Sequence, residues 1–522
     1  MAYTPPTYAH LPNVDWSVSQ VVSVPAVRSD NGAAGPAARA DLEAVASKPG
    51  DVQAIASGGR SPLRALYGEP WVGAQQAKYV VYQGWLVILC IWGYGPIDGV
   101  QQLYIGDQPA PAGVLSTHYT GAAGQGIDPT LAAALAAQGV VYTDTLPGLA
   151  YSVVRVPKNL VSGVPAVSAR IKGLLLYDPR IDATVWSDNP GLALADFDAS
   201  TRYGMGRDVD WDSAATLADH SDTLVGGERR NTINLVIDQV QESRAWREAI
   251  RTYAEAWIHP EGGLDIFVVD GPSDSVLDID ASMMLAGSFK PTRPSRRANS
   301  PNAVSVRYTD RSVTPWAEHE ATEFAPGVES GAVPRRPSSV SLFGIHRRGQ
   351  ATRAAVQRLN WFHLADLAME WVGFDYALKL RRGDVVRVSH PYGYTLKRMR
   401  IVDISAVAAR RWRITVREYD PAMFSDAVAS EPTYPDTSLP DPADPPAVTG
   451  LTLTEEVYER ESGWYDTRIR ATWDNPDYPY IEEFRVEMLD GATLIQSGSP
   501  TSAEWVSPAV REGRHIRSGW PW

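Results

Sequence analysis

The sequence predicts a multidomain protein of mixed α+β class. Three observations carry that expectation. The chain has 522 residues, too many for one ordinary domain and enough for three to five. Stretches rich in Val, Ile, Tyr and Trp, punctuated by Gly and Pro, run through both halves. Residues 239–257 instead carry a helical stripe, with Trp246, Ile250, Tyr253 and Trp257 at spacings of 4, 3 and 4.

Composition bounds the class further. Apolar residues make up 44% and charged residues 21%, as in folded globular chains. Sixty-one acidic against 48 basic residues give a net charge of -13. No long basic run offsets that balance, which argues against a protein held on nucleic acid by phosphate contacts. Solubility alone accounts for the acidity equally well. Cys90 is the single cysteine, so the sequence excludes an intrachain disulfide and a Cys-based zinc site. It sits in W-L-V-I-L-C-I-W at 85–92 and reads as a small buried hydrophobe. That run is far shorter than the roughly 20 residues a bilayer span needs, so no membrane-spanning segment is expected. Met1 to Gln20 lacks a basic stretch followed by an apolar one, so folding in a cytoplasm is expected.

Taken in order, residues 1–60 read as an N-terminal arm, small and Gly/Ala-rich from Asn31 to Ala40. Lys78 to Cys90 reads as strand, broken by Gly93, Gly95 and Pro96, and Ile97 to Asp107 as a second strand ending in a turn. Pro129 to Gln138 is a short helix candidate within a Gly/Ala-rich interval. Tyr151 to Pro157 and Ala166 to Tyr177 return to strand alternation. Gly262 and Gly263 are expected to end the 239–257 helix. Asp265 to Asp270 and Ala303 to Tyr308 are strand candidates.

The segment opening at Gly344 predicts a helix with arginines on its outer face. A strand through L-A-M-E-W-V-G-F-D-Y-A-L-K-L follows it, then a tight Gly383-Asp384 turn into V-V-R-V-S. Strands at Thr395 to Ile404 and Arg411 to Glu418 come next. Between Glu431 and Pro446 lie six prolines and four acids with no basic residue, a stiff solvated linker.

Catalytic constellations are not evident. There is no G-x-S-x-G, P-loop or H-E-x-x-H, and no two histidines are spaced to share a metal. Asp208, Asp210 and Asp212 form D-x-D-x-D, but a calcium loop wants Gly and Glu where Ser213 and Asp219 stand. A turn held by backbone hydrogen bonds is the simpler reading. Gly204 and Gly206 are too short a G-x-G for a nucleotide fingerprint. Glu455/Glu456 and Glu482/Glu483 are adjacent pairs that a strand points to opposite faces, so they would not converge on one bond. Arg335/Arg336 and Arg347/Arg348 read as surface charge ahead of a site for DNA or an acidic partner. No catalytic, cofactor-binding or metal-binding residue is assigned.

Between Ile171 and Ser213 the chain reads I-K-G-L-L-L-Y-D-P-R, V-W-S-D-N-P-G-L-A-L-A-D, Y-G-M-G and V-D-W-D-S. The string, carried by Tyr177, Asp178, Pro179, Trp186, Ser187, Asp188, Asn189, Pro190, Tyr203, Gly204, Gly206, Asp210, Trp211 and Asp212, resembles the central hub, or tail tip protein, of long non-contractile-tailed bacteriophages. Tyr67, Gly68, Gly95, Ile97, Gly99, Ile105 and Asp107 match the hubs' first barrel. S-P-N-A-V-S-V-R-Y-T-D at 300–310 and the Gly344 to Val388 order match later segments. The resemblance covers about residues 61–425. Ala447 to Trp522 resembles a fibronectin type III module, with Ile469, Ala471 and Trp473 inward on one strand and Phe484, Val486 and Met488 on another. That module stops short of its last strand, leaving an edge and an open core. A covering partner, a shortened relative and a partly folded module all fit.

The resemblance implies β-barrel hub domains, an α/β domain and an incomplete C-terminal β-sandwich. The arm at 1–60 is followed by a first barrel with an insertion at 61–165 and an α/β domain at 166–290. A second barrel at 291–426, the linker at 427–446 and the terminal module at 447–522 complete the order. It further implies a non-enzymatic virion protein at the distal tail tip, assembled in a bacterial cytoplasm. The expected assembly is a homotrimer that meets the distal tail protein ring, the C-terminal end of the tape measure protein, and other tip or fibre proteins. A host surface receptor is a further expected partner, and DNA passes the lumen without specific binding. Alternatives are the hub of a gene transfer agent or tail-like particle, a tail-associated glycan or cell-wall hydrolase, and a carbohydrate-binding adhesin suggested by 17 tryptophans.

Overall fold

The computed structural model describes residues 62–106, 108–161, 163–239, 241–293, 300–312, 316–424, 426, 446–459, 465–476, 478, 481–490 and 493–507. The expected arm, Asp107, nearly all of the linker and the last fifteen residues lie outside the described residues. The chain divides into two compact units, Met1–Pro432 and Thr433–Trp522. The fold is mixed α+β, built from several sheets with five α-helices among the described residues.

The apolar run at 85–92 explains the first layer. Its strand, Trp85–Tyr94, lies inside an antiparallel sheet between Gln75–Tyr82 and Leu149–Pro157, with Leu115–Tyr119 on the far edge. Successive side chains point to opposite faces, and here both faces are covered. Leu86, Ile88, Cys90 and Trp92 face a second sheet built on Ile97–Ile105 and Val167–Asp178. Val87 and Leu89 face α1, Pro129–Ala136, through Leu131, Ala134 and Leu135. Cys90 is fully buried, as the sequence indicates, and burial pushes its thiol pKa up. The Trp92 indole, also fully buried, donates to Ser152 Oγ at 2.8 Å. The single strand expected from Lys78 to Cys90 is instead two strands joined by a two-residue turn at Gln83-Gly84, a hairpin hidden by apolar residues on both sides.

The central layer gathers α2 (Pro190–Ala199), α3 (Trp211–Asp222) and α4 (Ser243–Ala254) against the strands Ala256–Glu261 and Leu264–Val269. The helix expected through 257 ends at Ala254, because Glu255 adopts φ 51° and turns the chain left-handed. Trp246, Ile250 and Tyr253 are buried as the stripe predicts. Trp257 lies on the strand, and Gly262-Gly263 is the turn of the hairpin that follows rather than a helix stop. Ala303–Asp310 pairs antiparallel with Ala317–Phe324 and parallel with Pro337–Ser341, and α5 (Arg348–Leu364) packs on this sheet. Arg353 departs from the expected outer face of α5. It is 5% exposed, bonding Glu228 at 3.1 Å and the Arg230 carbonyl at 2.8 Å.

The third layer is a six-stranded sheet. Its order is Ser275–Ile279, Val385–His390, Tyr394–Ala408, Arg411–Glu418, Ala368–Gly373 and Lys290–Thr292. Only Ala368–Gly373 of the strand expected through Leu380 is extended, and Asp375–Lys379 coils into a 3-10 turn that buries Ala377. Gly383 has φ 95° with Arg381 N–H donating to Asp384 Oδ2 at 2.7 Å, the turn chemistry expected there. A Cβ at Gly383 would lie 2.9 Å from the Trp257 ring, which couples this turn to the central layer. Among the described residues no sheet pairs its first strand with its last, so the two β regions are open rather than closed barrels.

In the second unit, Thr452–Glu459, Tyr465–Thr472 and Glu504–Val506 form one sheet, and Val486–Asp490 with Thr493–Gly498 a hairpin. Trp473 is 8% exposed and meets Phe484 edge-on at 5.2 Å, as the alternation predicts.

An aromatic chain joins the first layer to the segment before α5. Trp71 stacks on Tyr104 at 4.2 Å, Trp316 meets Trp71 edge-on at 5.5 Å, and His346 meets Trp316 at 4.7 Å. Burial, then the charges of Arg311 and Arg347, hold the His346 pKa down to about 3 against an opposing pull from Asp310. The imidazole is therefore neutral in the fold, while the unfolded chain takes up its proton near the ordinary value of 6.5. Its contribution to stability is present above pH 6.5 and is lost as pH falls from there toward 3. His346→Phe should accordingly lose less stability than the parent between about pH 7 and about pH 4.5, measured as the shift in urea midpoint. An equal loss in both proteins would remove His346 as the acid-sensitive group.

Candidate functional site

The signature segment supplies a set of helix caps, close approaches and buried ion pairs. It begins where Val167–Asp178 turns into Ala183–Trp186. Tyr177 Oη donates to Asp182 Oδ1 at 3.0 Å, and the Arg180 guanidinium grips Asp178 through Nε at 2.9 Å and Nη2 at 2.7 Å. The Arg180 hydrogen bonds hold the Asp178 carboxyl below its usual range despite partial burial. Arg180 also reaches Asp219 at 3.1 Å and Asp222 at 2.9 Å on α3, so the turn is stapled to that helix. Trp186 Nε1 donates to the Gly68 carbonyl at 3.2 Å, linking two matched segments far apart in sequence.

Asn189 caps α2. Its Oδ1 accepts from Gly191 N at 2.9 Å and Leu192 N at 3.3 Å, and Pro190 follows at the first helical position. Its Nδ2 donates to the Ala218 carbonyl of α3 at 2.9 Å, so one fully buried amide caps one helix and ties a second. Asp210 caps α3 in the same way, accepting from Ser213 N at 2.9 Å. This is the backbone-bonded turn that the D-x-D-x-D pattern allows. Asp208 and Asp212 are exposed. Among the described residues no three His, Cys, Asp or Glu side chains gather as a metal site.

Gly204 has a packing reason. A Cβ there would lie 1.8 Å from the Phe197 carbonyl oxygen, where the chain leaving α2 doubles back so that Met205 N–H donates to that oxygen at 2.9 Å. Gly206, at φ 60°, completes the return and brings Arg207 N–H to the Asp198 carbonyl at 2.8 Å.

The acids on α2 were not singled out in the sequence, yet both are engaged by side chains from elsewhere in the fold. Asp196 accepts from Tyr67 and Tyr203, each at 2.8 Å, and burial raises its pKa against those bonds. Asp198, fully buried, is in contact with Arg247 Nη2 and Nε, each at 2.7 Å. Arg247 also binds Asp265, which is 1% exposed and shared with Arg207. Burial, reinforced by the neighbouring Asp265, pushes Asp198 up to about 6 against the pull of Arg247. Only the alternation of polar and apolar residues along α2 could have flagged it, and that alternation is lost because nearly all of α2 is buried.

A second polar seam lies between α3, α5 and the six-stranded sheet. Glu255 accepts from Asn231 at 2.9 Å and faces His220 at 3.5 Å. Burial pushes its carboxyl up, but these two partners and Arg230 outweigh that and hold it below the ordinary range. Arg400, 3% exposed, pairs with Asp270, donates to the Gly271 carbonyl at 2.6 Å and lies over Tyr419 and Phe424. Arg230 reaches Asp426 at 2.6 Å. The seam's carboxylates are engaged by guanidinium or imidazole groups drawn from different elements.

The other sequence candidates are dispersed. Arg335 lies over Phe324, Arg336 donates to the Ser300 carbonyl at 2.8 Å, and Arg347 faces Glu228 at 4.0 Å. Glu456 bonds Arg468 and Arg470 while Glu455 points away, and Glu482 and Glu483 are both exposed.

Replacing Gly204 by Ala should cost about 3 kcal/mol or more in urea unfolding of the full chain, since the collision is with backbone that cannot step aside. A loss under about 0.5 kcal/mol would mean the close approach is not part of the native fold.

No protein-family model matches the sequence, and no curated protein matches it. Solved structures do match. A chain from the virion of a native gene transfer agent particle aligns with a TM-score of 0.53 at 17% identity, over 73% of this chain and 89% of that one. The 43 kDa tail protein of prophage MuSo2 from Shewanella oneidensis aligns at a TM-score of 0.30 and 9% identity, over 70% and 100% of the two chains. A tail protein from Neisseria meningitidis MC58 aligns at 0.29 and 9%, over 69% and 97%. The last two fall too low to bear on the fold. The chain therefore shares its fold with a chain of a gene transfer agent virion.

Proposed function

We propose that this protein is a structural virion component, the trimeric central hub at the distal tip of a non-contractile phage tail or of a related particle. The observation that carries the reading is the shared fold with the gene transfer agent virion chain, of which 89% is covered. Fold alone does not imply function. The hub-like signature adds to it, because its residues are the ones that cap α2 and α3 and let the chain double back at Gly204.

In this reading the two β regions of one chain are similar ring-forming elements, so three chains present six comparable faces. The upper side meets the distal tail protein ring and the C-terminal end of the tape measure protein. The C-terminal unit faces other tip or fibre proteins or the host surface. The work is mechanical: receptor engagement shifts contacts between subunits, releases the tape measure protein and opens the DNA path. Heterologous contacts between copies close into a ring when the rotation permits, and the functional site is then the ring itself. Densely paired buried charges suit a subunit that must transmit force without deforming. A gene transfer agent hub is the second reading, supported by the likeness of the fold to a chain from such a particle.

Cryo-electron microscopy of the particle's tail tip, with this chain traced, tests the proposal. Three copies around one closed axis, with both β regions in the ring, are expected. A single or peripheral copy would overturn it and turn attention to glycan hydrolysis and adhesin assays.

A further inference from the structure

Two outer strands of the first unit combine an open backbone edge with exposed apolar side chains. Gln75–Tyr82 is an outer strand of the four-stranded sheet and Ser275–Ile279 an outer strand of the six-stranded sheet, and among the described residues no strand lies beyond either. Such an edge presents a row of backbone donors and acceptors ready to pair. On Gln75–Tyr82, Tyr79 is 59% and Val81 53% exposed. They lie opposite Ile88 and Leu86, both buried under the second sheet, so they carry that apolar face past its cover. Val80, between them, is buried on the α1 side. On Ser275–Ile279, Leu277 and Ile279 turn into the core of the six-stranded sheet, and Val276, 57% exposed, turns out.

The other edges of these sheets are less suited to pairing. Lys290–Thr292 has Pro291 at its centre, which lacks an N–H. Leu115–Tyr119 turns Ser116 and His118 to solvent, where they bond each other at 3.0 Å.

We infer that the two open edges pair with each other between copies of this chain, Gln75–Tyr82 of one copy against Ser275–Ile279 of the next. The inference deepens the ring reading and rests on it only for closure at three copies. Charge selects the occupant. From Val72 to Ile97 the chain holds Lys78 and no acid, and from Gly271 to Phe289 it holds Asp274, Asp278 and Asp280 and no base. All four side chains belong to exposed residues. Arg387 engages Asp278 at 2.6 Å, and the other two acids leave this edge negative. Either edge set against its own kind would bring like charges together, whereas the mixed pairing sets Lys78 beside the acids. A mixed pairing is heterologous, so every copy keeps one edge of each kind for its two neighbours. Tyr79, Val81 and Val276 gain cover from water, and equal junctions around a closed ring reinforce one another.

Cysteine cross-linking of the full chain tests this. Cys90, the one native thiol, is fully buried and stays out of the reaction. Chains carrying Tyr79→Cys are mixed with chains carrying Val276→Cys and treated with a short bis-maleimide. Two-chain products are expected in the mixture, with about tenfold less from either variant alone. Adding Val81→Lys to the Tyr79→Cys chain should cut the mixed product about tenfold or more, because it places a second cation on the edge, and should leave the urea midpoint unchanged. The double variant Tyr79→Cys/Val276→Cys should give products of two and three chains. Cross-linking as strong within one variant as in the mixture would overturn the inference, and so would a chain that stays monomeric at its highest soluble concentration. Trimers seen by native mass spectrometry that fail to cross-link would overturn the edge pairing and leave the ring reading standing. Products that run past three chains would uphold the pairing and remove the three-copy ring.

Discussion

The Arg247 guanidinium, shared by two buried carboxylates, is the interaction on which the central layer depends. Asp198 comes from α2 and Asp265 from the Leu264–Val269 strand, and Arg247 itself from α4. One cation therefore fixes the mutual position of two helices and a strand. Removing one partner of a buried pair leaves an uncompensated charge, at a cost of about 3–5 kcal/mol, more than the pair contributes by being present. The geometry is thus specified more than it is stabilised. Arg207 takes a second position on Asp265 only because the chain doubles back at Gly204 and Gly206. Asp198 joins Asn189 and Asp196 in fixing how α2 is turned toward its neighbours.

Other parts of the first unit repeat this logic. Asn189 caps α2 and grips α3, Arg180 joins a hairpin turn to α3, and Arg400 holds Asp270 under two aromatic rings. Each device crosses between elements distant in sequence. Together they describe layers cross-linked by directional polar contacts in addition to apolar packing. Tyr419, Phe424 and Asp426 lie where the chain leaves the six-stranded sheet, and they are held by Arg400 and Arg230.

Legibility of the sequence followed periodicity and failed where periodicity is ambiguous. The strands at 97–105, 149–157, 167–178 and 411–418 and the helix at 129–136 stand where alternation and capping residues indicate. Lys78 to Cys90 hid a hairpin because both of its strands are rich in the same residues, and turn chemistry at Gln83-Gly84 is weak next to that signal. Trp257 continued a helical spacing by chance. Glu255, a poor residue for the left-handed region, ends the helix because its carboxylate is held by Asn231 and His220. No local pattern announces that contact.

Helix caps such as Asn189 and Asp210 and the Gly383-Asp384 turn are determined by the sequence itself, because each rests on residues within a few positions of one another. The tertiary structure alone decided that Asp198 and Asp265 share Arg247, that Arg353 turns inward, and that Leu451, Leu453 and Val457 stand on a face left bare by the described residues. These depend on groups tens to hundreds of positions apart meeting in a low-dielectric interior. There the energy of a charge or an apolar side chain is set by its neighbours in space and not by its neighbours in the chain.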